Sequence, residues 1–370
     1  MSQYINKKVC WGVVLILLVL SVGGVTVYVL SNNKQKPIAH ETLKAEKFIK
    51  KNLQTKEGLI RTNLTSQQDV FLSETVGLWM EYLVEKNDIL QFDKQVEVLQ
   101  KYFLTDDDLV IWELKGDKEA PANALIDDLR IIDALFKAGK QWNEKEYTDL
   151  ASKMSEQLVT YQTRSNLMVD FIDLHEKTKG KDLTLSYIIP SGFDQMKGAG
   201  LLPKEIYQET KSMFLNAPTT ELGFFPKKFH IPTGEYIYEE KINLIDQLYT
   251  GYHLAQWGGD VSSLLTFTKT AFSQGGGKIY GQYDGDTGKP IVQYEAPAVY
   301  ALATLLCLEV GEDEFAKKLY ERMKKMQYNN SDLPYDGGYI DIRTKETHTF
   351  DNLLALLVER RVLDEEAFRK

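Results

Sequence analysis

Acidic residues at the starts of apolar helices are the side chains in this sequence that could do chemistry. Glu74 follows Ser73 at the start of the apolar stretch TVGLWMEYLVEK, in which Leu78 and Trp79 come close behind it. A carboxyl group in an apolar setting has a raised pKa and can act as a general acid near neutral pH. A structural alternative stays open, because a serine and a glutamate also suit the first turn of a helix as a cap and a partner for the helix dipole.

Two adjacent acids form the second candidate. Asp127 and Asp128 stand in the stretch ALIDDLRIIDALFKAG, and Arg130 follows them. One interpretation is a helix cap together with an ion pair at the surface. The other interpretation is that one of the two carboxylates points into a cleft and hydrogen-bonds a sugar hydroxyl.

The third candidate is Asp246, in the stretch KINLIDQLYTGYHLAQWG. Leu244, Ile245, Leu248 and Leu254 surround it in the sequence. Burial of an acid among apolar helical positions costs free energy unless the acid is paired or faces a cavity. A functional role is therefore favoured for this carboxylate.

Aromatic residues near these acids are candidates for stacking on sugar rings. Each one alone fits the core of a helical domain, but those in loops and at helix starts could form platforms for a substrate. The set is Trp112, Tyr187, Phe193, Tyr249, Tyr294, Tyr335 and Tyr339. The members that we expect to contact substrate are Trp112, Tyr187, Tyr249 and Tyr294.

Other kinds of catalytic site find no support in the sequence. The five histidines lack metal-binding spacing, and there is neither a G-x-S-x-G motif nor a suitable cysteine–histidine pair. The stretch GDTGK is followed by Pro290 and lacks the spacing of a phosphate-binding loop. A formal net charge of −9 without a basic patch argues against nucleic acid as a partner. Acid–base catalysis by two carboxylates, without a metal or cofactor, is the chemistry that the chain best supports.

Apolar residues recur at three- and four-residue spacing through most of the chain, which predicts a helical domain. The clearest windows are residues 41–53, 70–86, 88–104, 122–138, 143–162, 186–198, 203–215, 239–257, 261–274, 294–309, 311–327 and 349–363. Short extended pieces are expected at Leu109–Leu114, Phe224–His230 and Ile279–Gln282. About twelve helices in hairpins predict a single all-α domain, an (α/α)6 toroid; a solenoid of helix pairs is the alternative, although a repeat signature is missing.

An uncharged apolar segment, Val9–Leu30, precedes the helical domain. As a helix it is long enough to cross the roughly 30 Å hydrocarbon core of a membrane, so we expect one transmembrane anchor; a cleaved signal peptide is the alternative. Lys7 and Lys8 weakly favour an N-terminus on the inside. The predicted organisation is a cytoplasmic tail at 1–8, the transmembrane anchor at 9–30, a juxtamembrane linker at 31–40 and the (α/α)6 domain at 41–370.

Three motifs resemble, in their order, those of glycoside hydrolase family 8, the inverting endo-β-glycosidases with an (α/α)6 barrel. Ser73-Glu74 and Met80 match the motif that holds the family's general acid. Thr75 and Leu78 replace the glycine and the tyrosine of that motif.

The second and third motifs lie farther along the chain. Asp128–Leu135 is similar to the family's acidic cluster before Leu-x-Ile-Ala-x-Ala-Leu. Ile245–Tyr249 aligns with the family's Tyr-Asp-Ala-x-Arg-x-Pro-Trp-Arg on the aspartate, whereas the arginines and the tryptophan are absent. The resemblance spans most of residues 41–365.

The resemblance implies an inverting hydrolase that acts on a polysaccharide. Glu74 would protonate the leaving glycosidic oxygen, Asp246 would deprotonate the attacking water, and Asp128 or Asp127 would hold the distorted sugar. The chain more closely resembles the membrane-anchored members that accompany bacterial exopolysaccharide synthesis. That implies a single-pass protein of the cell membrane, with its catalytic domain on the extracellular side beside the synthesis machinery.

Two other classes of function stay open. One is a catalytically inactive carbohydrate-binding protein that assists export of a polymer or controls its length. The other is a lyase or epimerase on the same toroid, for which His253 and Tyr249 could supply a base near the cleft.

Overall fold

The computed structural model of the protein describes residues 39–363, 365 and 368, and twelve α-helices lie among them. These helices overlap the twelve predicted windows one for one. They are α1 Lys44–Phe48, α2 Ser73–Glu85, α3 Ile89–Val98, α4 Leu125–Trp142, α5 Lys145–Gln162, α6 Pro190–Gly198, α7 Lys204–Leu215, α8 Leu244–Gln256, α9 Ser262–Gln274, α10 Pro297–Glu309, α11 Asp313–Lys324 and α12 Thr349–Val362. Single π-helical turns, Ile49–Leu53 and Leu99–Phe103, continue α1 and α3.

The even-numbered helices form a closed inner ring. Helix α2 packs against α4, α4 against α6, α6 against α8, α8 against α10, α10 against α12, and α12 packs back against α2. Each odd-numbered helix packs on the outside, against a helix of this ring. Because the last inner helix meets the first, the solenoid alternative is wrong and the (α/α)6 toroid is confirmed.

The sequence explains which helices lie inside. Helix α10 is apolar on every side, and each residue from Ala298 to Cys307 is buried, as expected for a helix with no polar face. Helix α11 buries only Phe315, Ala316, Leu319 and Met323. These four lie on one face of the helix, so its charged residues remain in contact with solvent on the outer ring.

Short antiparallel strands occupy the segments between the helices. They are β1 Val70–Leu72, β2 Glu113–Lys115, β3 Lys118–Glu119, β4 Thr163–Arg164, β5 Leu167–Met168, β6 Asp182–Thr184, β7 Lys228–His230, β8 Glu235–Ile237, β9 Lys241–Asn243, β10 Gln282–Asp284, β11 Ile340–Asp341 and β12 Glu346–Thr347. Strand β1 pairs with β2 and leads directly into α2, while β9 pairs with β10 and leads directly into α8. The pairing therefore fixes where these two inner helices begin. The three predicted extended pieces overlap β2, β7 and β10.

The predicted anchor lies outside the described residues. The tail at 1–8, the anchor at 9–30 and most of the linker at 31–40 precede Ala39. The division of the chain at these boundaries therefore stays a prediction.

Gly192 allows two inner helices to approach closely, and we expect its replacement to destabilise the ring. A Cβ atom at this position would lie 2.9 Å from the backbone oxygen of Leu129 in α4. Gly192→Ala should lower the free energy of unfolding in urea by about 1–3 kcal/mol, because overpacking forces the helices apart. Gly198→Ala in the same helix is the matched control, since a Cβ there meets nothing within 4 Å. Equal stability of the two variants would contradict this account of the packing.

Candidate active site

The first turns of the inner helices meet at one end of the ring. The Ser73 hydroxyl in α2 donates a 2.7 Å hydrogen bond to Asp127 in α4, and the backbone N–H of Ala298 in α10 donates a 2.9 Å bond to Asp351 in α12. Four of the six inner helices carry an acid in this turn. The acids are Glu74 in α2, Asp127 and Asp128 in α4, Asp246 in α8 and Asp351 in α12.

Glu74 lies where its ionised form is disfavoured. Burial raises the pKa of this carboxyl from an ordinary value of 4.5 to about 8, and repulsion by Asp127 and Asp351 adds to the increase. Attraction by Arg130 opposes it without cancelling it. Glu74 therefore carries its proton at neutral pH, as a general acid requires.

The Ser73 hydroxyl donates a hydrogen bond to Asp127 and does not cap its own helix. Helix α2 begins after Leu72 without a side-chain cap, and the Ser73 hydroxyl points to the Asp127 carboxylate. Arg130 donates a second, longer bond of 3.4 Å to Asp127. Burial raises the pKa of Asp127, while Arg130 and Ser73 oppose the increase. The interpretation of Ser73 as a capping residue is therefore wrong.

Asp128 is also buried, which excludes the interpretation of this acidic pair as a surface feature. Its side chain is 2% exposed, and Oδ2 accepts a 2.6 Å hydrogen bond from Asn123. Within the described part of the chain, Oδ1 has no hydrogen-bond partner. Burying a carboxyl oxygen without a partner costs free energy, and burial also raises the pKa of Asp128 well above its ordinary value.

Arg130 supplies positive charge beneath these acids. Its guanidinium donates to Asp127 and to the Tyr249 hydroxyl at 3.3 Å, and it lies 4.0 Å from Glu81. Gly77 in α2 makes room for it, because a Cβ there would come within 3.1 Å of the arginine side chain. The sequence suggested only a surface partner for the acids, whereas Arg130 is buried and connects three inner helices.

Asp246 is half-buried, and both of its oxygens are engaged. Ser186 donates a 2.9 Å hydrogen bond to Oδ1, and the Lys227 ammonium group donates to Oδ2. Ser186 lies in a 3₁₀ turn, Leu185–Tyr187, and Lys227 immediately precedes β7. The sequence gave no sign of either partner, because both lie in other segments of the chain.

Tyr187 lies among the predicted acids. Burial raises the pKa of its hydroxyl, and the carboxylates of Asp170, Asp127, Asp246 and Glu74 raise it further by repulsion. One side chain therefore interacts electrostatically with acids from α2, α4 and α8. The three helix starts that the sequence singled out therefore lie within electrostatic range of one side chain.

The remaining aromatic candidates differ in their surroundings. Tyr249 is buried and supports Arg130 through its hydroxyl. Trp112 is 36% exposed, and its carbonyl accepts a 3.0 Å hydrogen bond from the backbone of Ser73. Tyr294 is 55% exposed and packs over Gly281. Trp112 and Tyr294 are thus placed in the loops that lead into inner helices α4 and α10.

Two further exposed aromatic side chains, which the sequence pattern did not single out, lie in similar loops. Phe171 precedes α6 and Tyr238 precedes α8, and both are exposed. Their position in the chain could have identified them as candidates, because each lies between an outer helix and the next inner one. Among the described residues, no group of three or more His, Cys, Asp or Glu side chains is arranged to hold a metal ion.

No protein-family model matches the chain. A Bacillus subtilis (strain 168) protein named "Putative lipoprotein YdaJ" is 39% identical over 322 residues, which cover 87% of this chain and 87% of that protein. The chain belongs to the family of YdaJ.

Solved structures that resemble this member of the YdaJ family include carbohydrate-active enzymes. A novel alpha-amylase from Clostridium perfringens is 27% identical with a TM-score of 0.79, over 86% of this chain and 96% of that one. PssZ from Listeria monocytogenes is 27% identical with a TM-score of 0.72, over 88% and 98%. The family 8 endoglucanase Cel10 from Klebsiella pneumoniae, 16% identical with a TM-score of 0.62 over 87% and 99%, shares the fold. The resemblance to glycoside hydrolase family 8 is thereby confirmed at the level of the fold.

The comparison with YdaJ corrects the predicted localisation. We expected a single-pass protein of the cell membrane with its catalytic domain on the extracellular side, whereas this relative is named a lipoprotein. A protein of that class is held at a membrane by attached lipid and not by a spanning helix. The segment behind the prediction, Val9–Leu30, is not among the described residues, and no helix between residues 39 and 363 is long and apolar enough to cross a membrane.

The raised pKa of Glu74 predicts a dependence of stability on pH. The folded protein keeps this proton at pH values where the unfolded chain has lost it, so folding becomes less favourable as the pH rises from 4.5 through about 8. The free energy of unfolding in urea should therefore fall more steeply over this range in the wild type than in Glu74→Gln. Glu57→Gln is the control, because Glu57 is exposed and its pKa is lowered. Parallel curves for the wild type and Glu74→Gln would contradict the assignment.

Proposed function

We propose that this protein is an inverting glycoside hydrolase that cleaves a bacterial exopolysaccharide. The observation that carries the proposal is that Glu74, Asp127 and Asp246 all act electrostatically on Tyr187, with Glu74 protonated and Asp246 held by Lys227. An acid with its proton and a carboxylate without one are the two groups that an inverting glycosidase needs.

In the proposed reaction, Glu74 donates its proton to the glycosidic oxygen as the bond from that oxygen to the anomeric carbon breaks. Asp246 takes a proton from a water molecule, whose oxygen bonds to the anomeric carbon from the opposite face of the sugar. The product sugar has an inverted configuration, and both carboxyl groups are restored by proton exchange with solvent. A separation of roughly 6.5–9.5 Å between the two carboxyl groups would admit this water.

Asp128 is the residue best suited to hold the sugar under attack. Its Oδ1 atom is buried without a partner, and Asn123 fixes the other oxygen. A sugar hydroxyl that donates to Oδ1 would remove the cost of this unpaired atom, so binding would be favoured by the local structure.

The substrate class rests on the resemblance to family members that accompany exopolysaccharide synthesis. Exposed aromatic side chains in several of the loops that precede inner helices also favour a long polymer, since such rings can stack on successive sugars. The members of this group are Trp112, Phe171, Tyr238 and Tyr294.

A polysaccharide-binding protein without activity is the alternative, and one observation favours it. Lys227 and Ser186 engage both oxygens of Asp246, so a base must be released from Lys227 before it can take a proton. A lyase is less well supported, because burial lowers the pKa of His253 to about 3 and its ring packs between Tyr249 and Tyr252.

The direct test is the release of new reducing ends from a panel of polysaccharides. The panel contains carboxymethylcellulose, xylan, starch and exopolysaccharide from the source bacterium. Glu74→Gln and Asp246→Asn should each lower the rate by about 10²–10⁴-fold, the usual contribution of an acid or base. Glu314→Gln on outer helix α11 is the control and should keep wild-type activity. Binding without cleavage by the wild type would support the alternative, and an unsaturated product would indicate a lyase.

The raised pKa of Glu74 also predicts the pH dependence of cleavage. The enzyme is active while Glu74 holds its proton, so kcat/KM should fall as the pH rises through about 8. The measurement is kcat/KM between pH 5 and 10 on whichever polysaccharide the wild type cleaves. A rate that keeps rising above pH 9 would exclude Glu74 as the proton donor.

A further inference from the structure

A cavity of about 500 Å³ lies at the starts of inner helices α10 and α12. Its lining includes Asn63, Pro297, His348 and Asp351. Pro297 is the first residue of α10, and His348 immediately precedes α12. The volume falls within the roughly 300–1,000 Å³ range of small-molecule sites, so the cavity can take a sugar ring.

Hydrogen bonds connect this cavity to the segment that carries Glu74. The backbone N–H of Thr349 donates a 2.9 Å bond to the carbonyl of Thr62, and the Thr62 hydroxyl donates a 2.9 Å bond to the carbonyl of Val70. Val70 begins the strand that leads into α2, and Asn63 follows Thr62 in the cavity wall. The start of α12 and the start of α2 therefore belong to one bonded unit.

The order of the inner ring decides which part of a substrate this cavity faces. Helix α2 lies between α4, which carries Asp127 and Asp128, and α12, which carries Asp351. The glycosidic oxygen that Glu74 protonates joins two sugars. If the sugar under attack is held by Asp128 on the α4 side, the leaving sugar extends toward α12.

Asp351 presents a free acceptor to the cavity. Its Oδ1 atom accepts the 2.9 Å bond from the backbone of Ala298. Its Oδ2 atom accepts no hydrogen bond from residues 39–363, and it is therefore available to a sugar hydroxyl. Repulsion between Asp351 and ionised Glu74 indicates that the two carboxyl groups interact.

His348 presents a donor to the same cavity. Its Nδ1 atom accepts a 3.2 Å hydrogen bond from the backbone N–H of Phe350, and burial lowers the pKa of the ring. A neutral imidazole whose Nδ1 atom accepts must carry its proton on Nε2. No group in the described part of the chain accepts a hydrogen bond from this N–H. The cavity thus offers a donor and an acceptor, as the neighbouring hydroxyls of a sugar ring require.

We propose that this cavity binds the sugar of the leaving group, a neutral hydroxylated pyranose, with Asp351 accepting from one hydroxyl and His348 donating to another. The assignment of this sugar as the leaving group rests on the proposed hydrolase function. Binding of a sugar in the cavity does not depend on that function, because it can be measured without turnover.

The first test measures binding by NMR with histidine-labelled full-length Glu74→Gln protein. Cellobiose, xylobiose and maltose are the probes, and the His348 resonance is assigned with His348→Gln. At least one disaccharide should shift this resonance saturably, and adding Asp351→Asn should weaken the binding at least tenfold. Asparagine keeps an oxygen for the Ala298 N–H, so the fold should be retained. The exposed His175 is the internal control. A His348 resonance that no disaccharide shifts, or an unchanged Kd in Asp351→Asn, would overturn the proposal.

The second test locates the site on the leaving-group side. Labelled oligosaccharides from the polysaccharide that the wild type cleaves are digested, and the position of the broken bond is read. Asp351→Asn should lower kcat/KM for them at least tenfold and shift cleavage toward the reducing end, so that shorter fragments leave. Hydrolysis of the matching glycosyl fluoride, whose leaving group is not a sugar, should fall much less than cleavage of the oligosaccharides. Asp332→Asn, an exposed change, is the control.

The two proposals fail in different ways. Cleavage by the wild type with an unchanged cleavage position in Asp351→Asn would overturn the leaving-group site and keep the hydrolase. A wild type that cleaves no polysaccharide would overturn the hydrolase, and with it the leaving-group assignment. The NMR titration alone would then decide whether the cavity binds sugar.

Discussion

The burial of several carboxyl groups around one arginine is the constraint on which the rest of the site depends. Arg130 lies beneath Asp127, near Glu74 and Glu81, and it donates to Tyr249 from a third inner helix. Removing a buried charge that is paired in this way leaves its partners uncompensated, which costs several kcal/mol. The positive charge of Arg130 does not outweigh burial and the neighbouring negative charges at Glu74, so Glu74 stays protonated. Stability and the proposed acid catalysis therefore depend on the same balance of charges.

The closed ring explains why this balance between buried carboxyl groups and Arg130 is found at one end of the ring. Inner helices such as α10 are apolar along their length, so they pack against neighbours on all sides and leave few interior positions for polar groups. First turns are different, because their backbone N–H groups lack partners within the helix and favour negative charge nearby. Six such turns are distributed around the ring, and acids occupy four of them.

Much of the fold could be predicted from the sequence. The spacing of apolar residues located the twelve helices, and their number suggested the toroid. The acids at 74, 127, 128 and 246 stood out in the sequence because a charged group inside an apolar helix requires a partner or a function. Asp351 obeys the same rule, because it too lies in the first turn of an inner helix. It was nevertheless not identified from the sequence.

The partners of these acids could not be predicted, because they come from distant segments. Ser73 and Asp127 are 54 positions apart, and Ser186 and Asp246 are 60 apart. Local sequence favoured a capping role for Ser73, and tertiary contacts override such preferences. Localisation was the other error: an apolar segment was interpreted as a spanning helix, and the name of the relative YdaJ contradicts this.

The configuration of the first product shows whether Glu74 and Asp246 act as an acid and a base. If Glu74 and Asp246 act as a separated acid and base, NMR spectra recorded during the first minutes of cleavage will show new reducing ends with the anomeric configuration opposite to that of the broken linkage. Reducing ends that retain the configuration of the linkage would contradict the account, because they require a covalent intermediate and a nucleophile in place of a base.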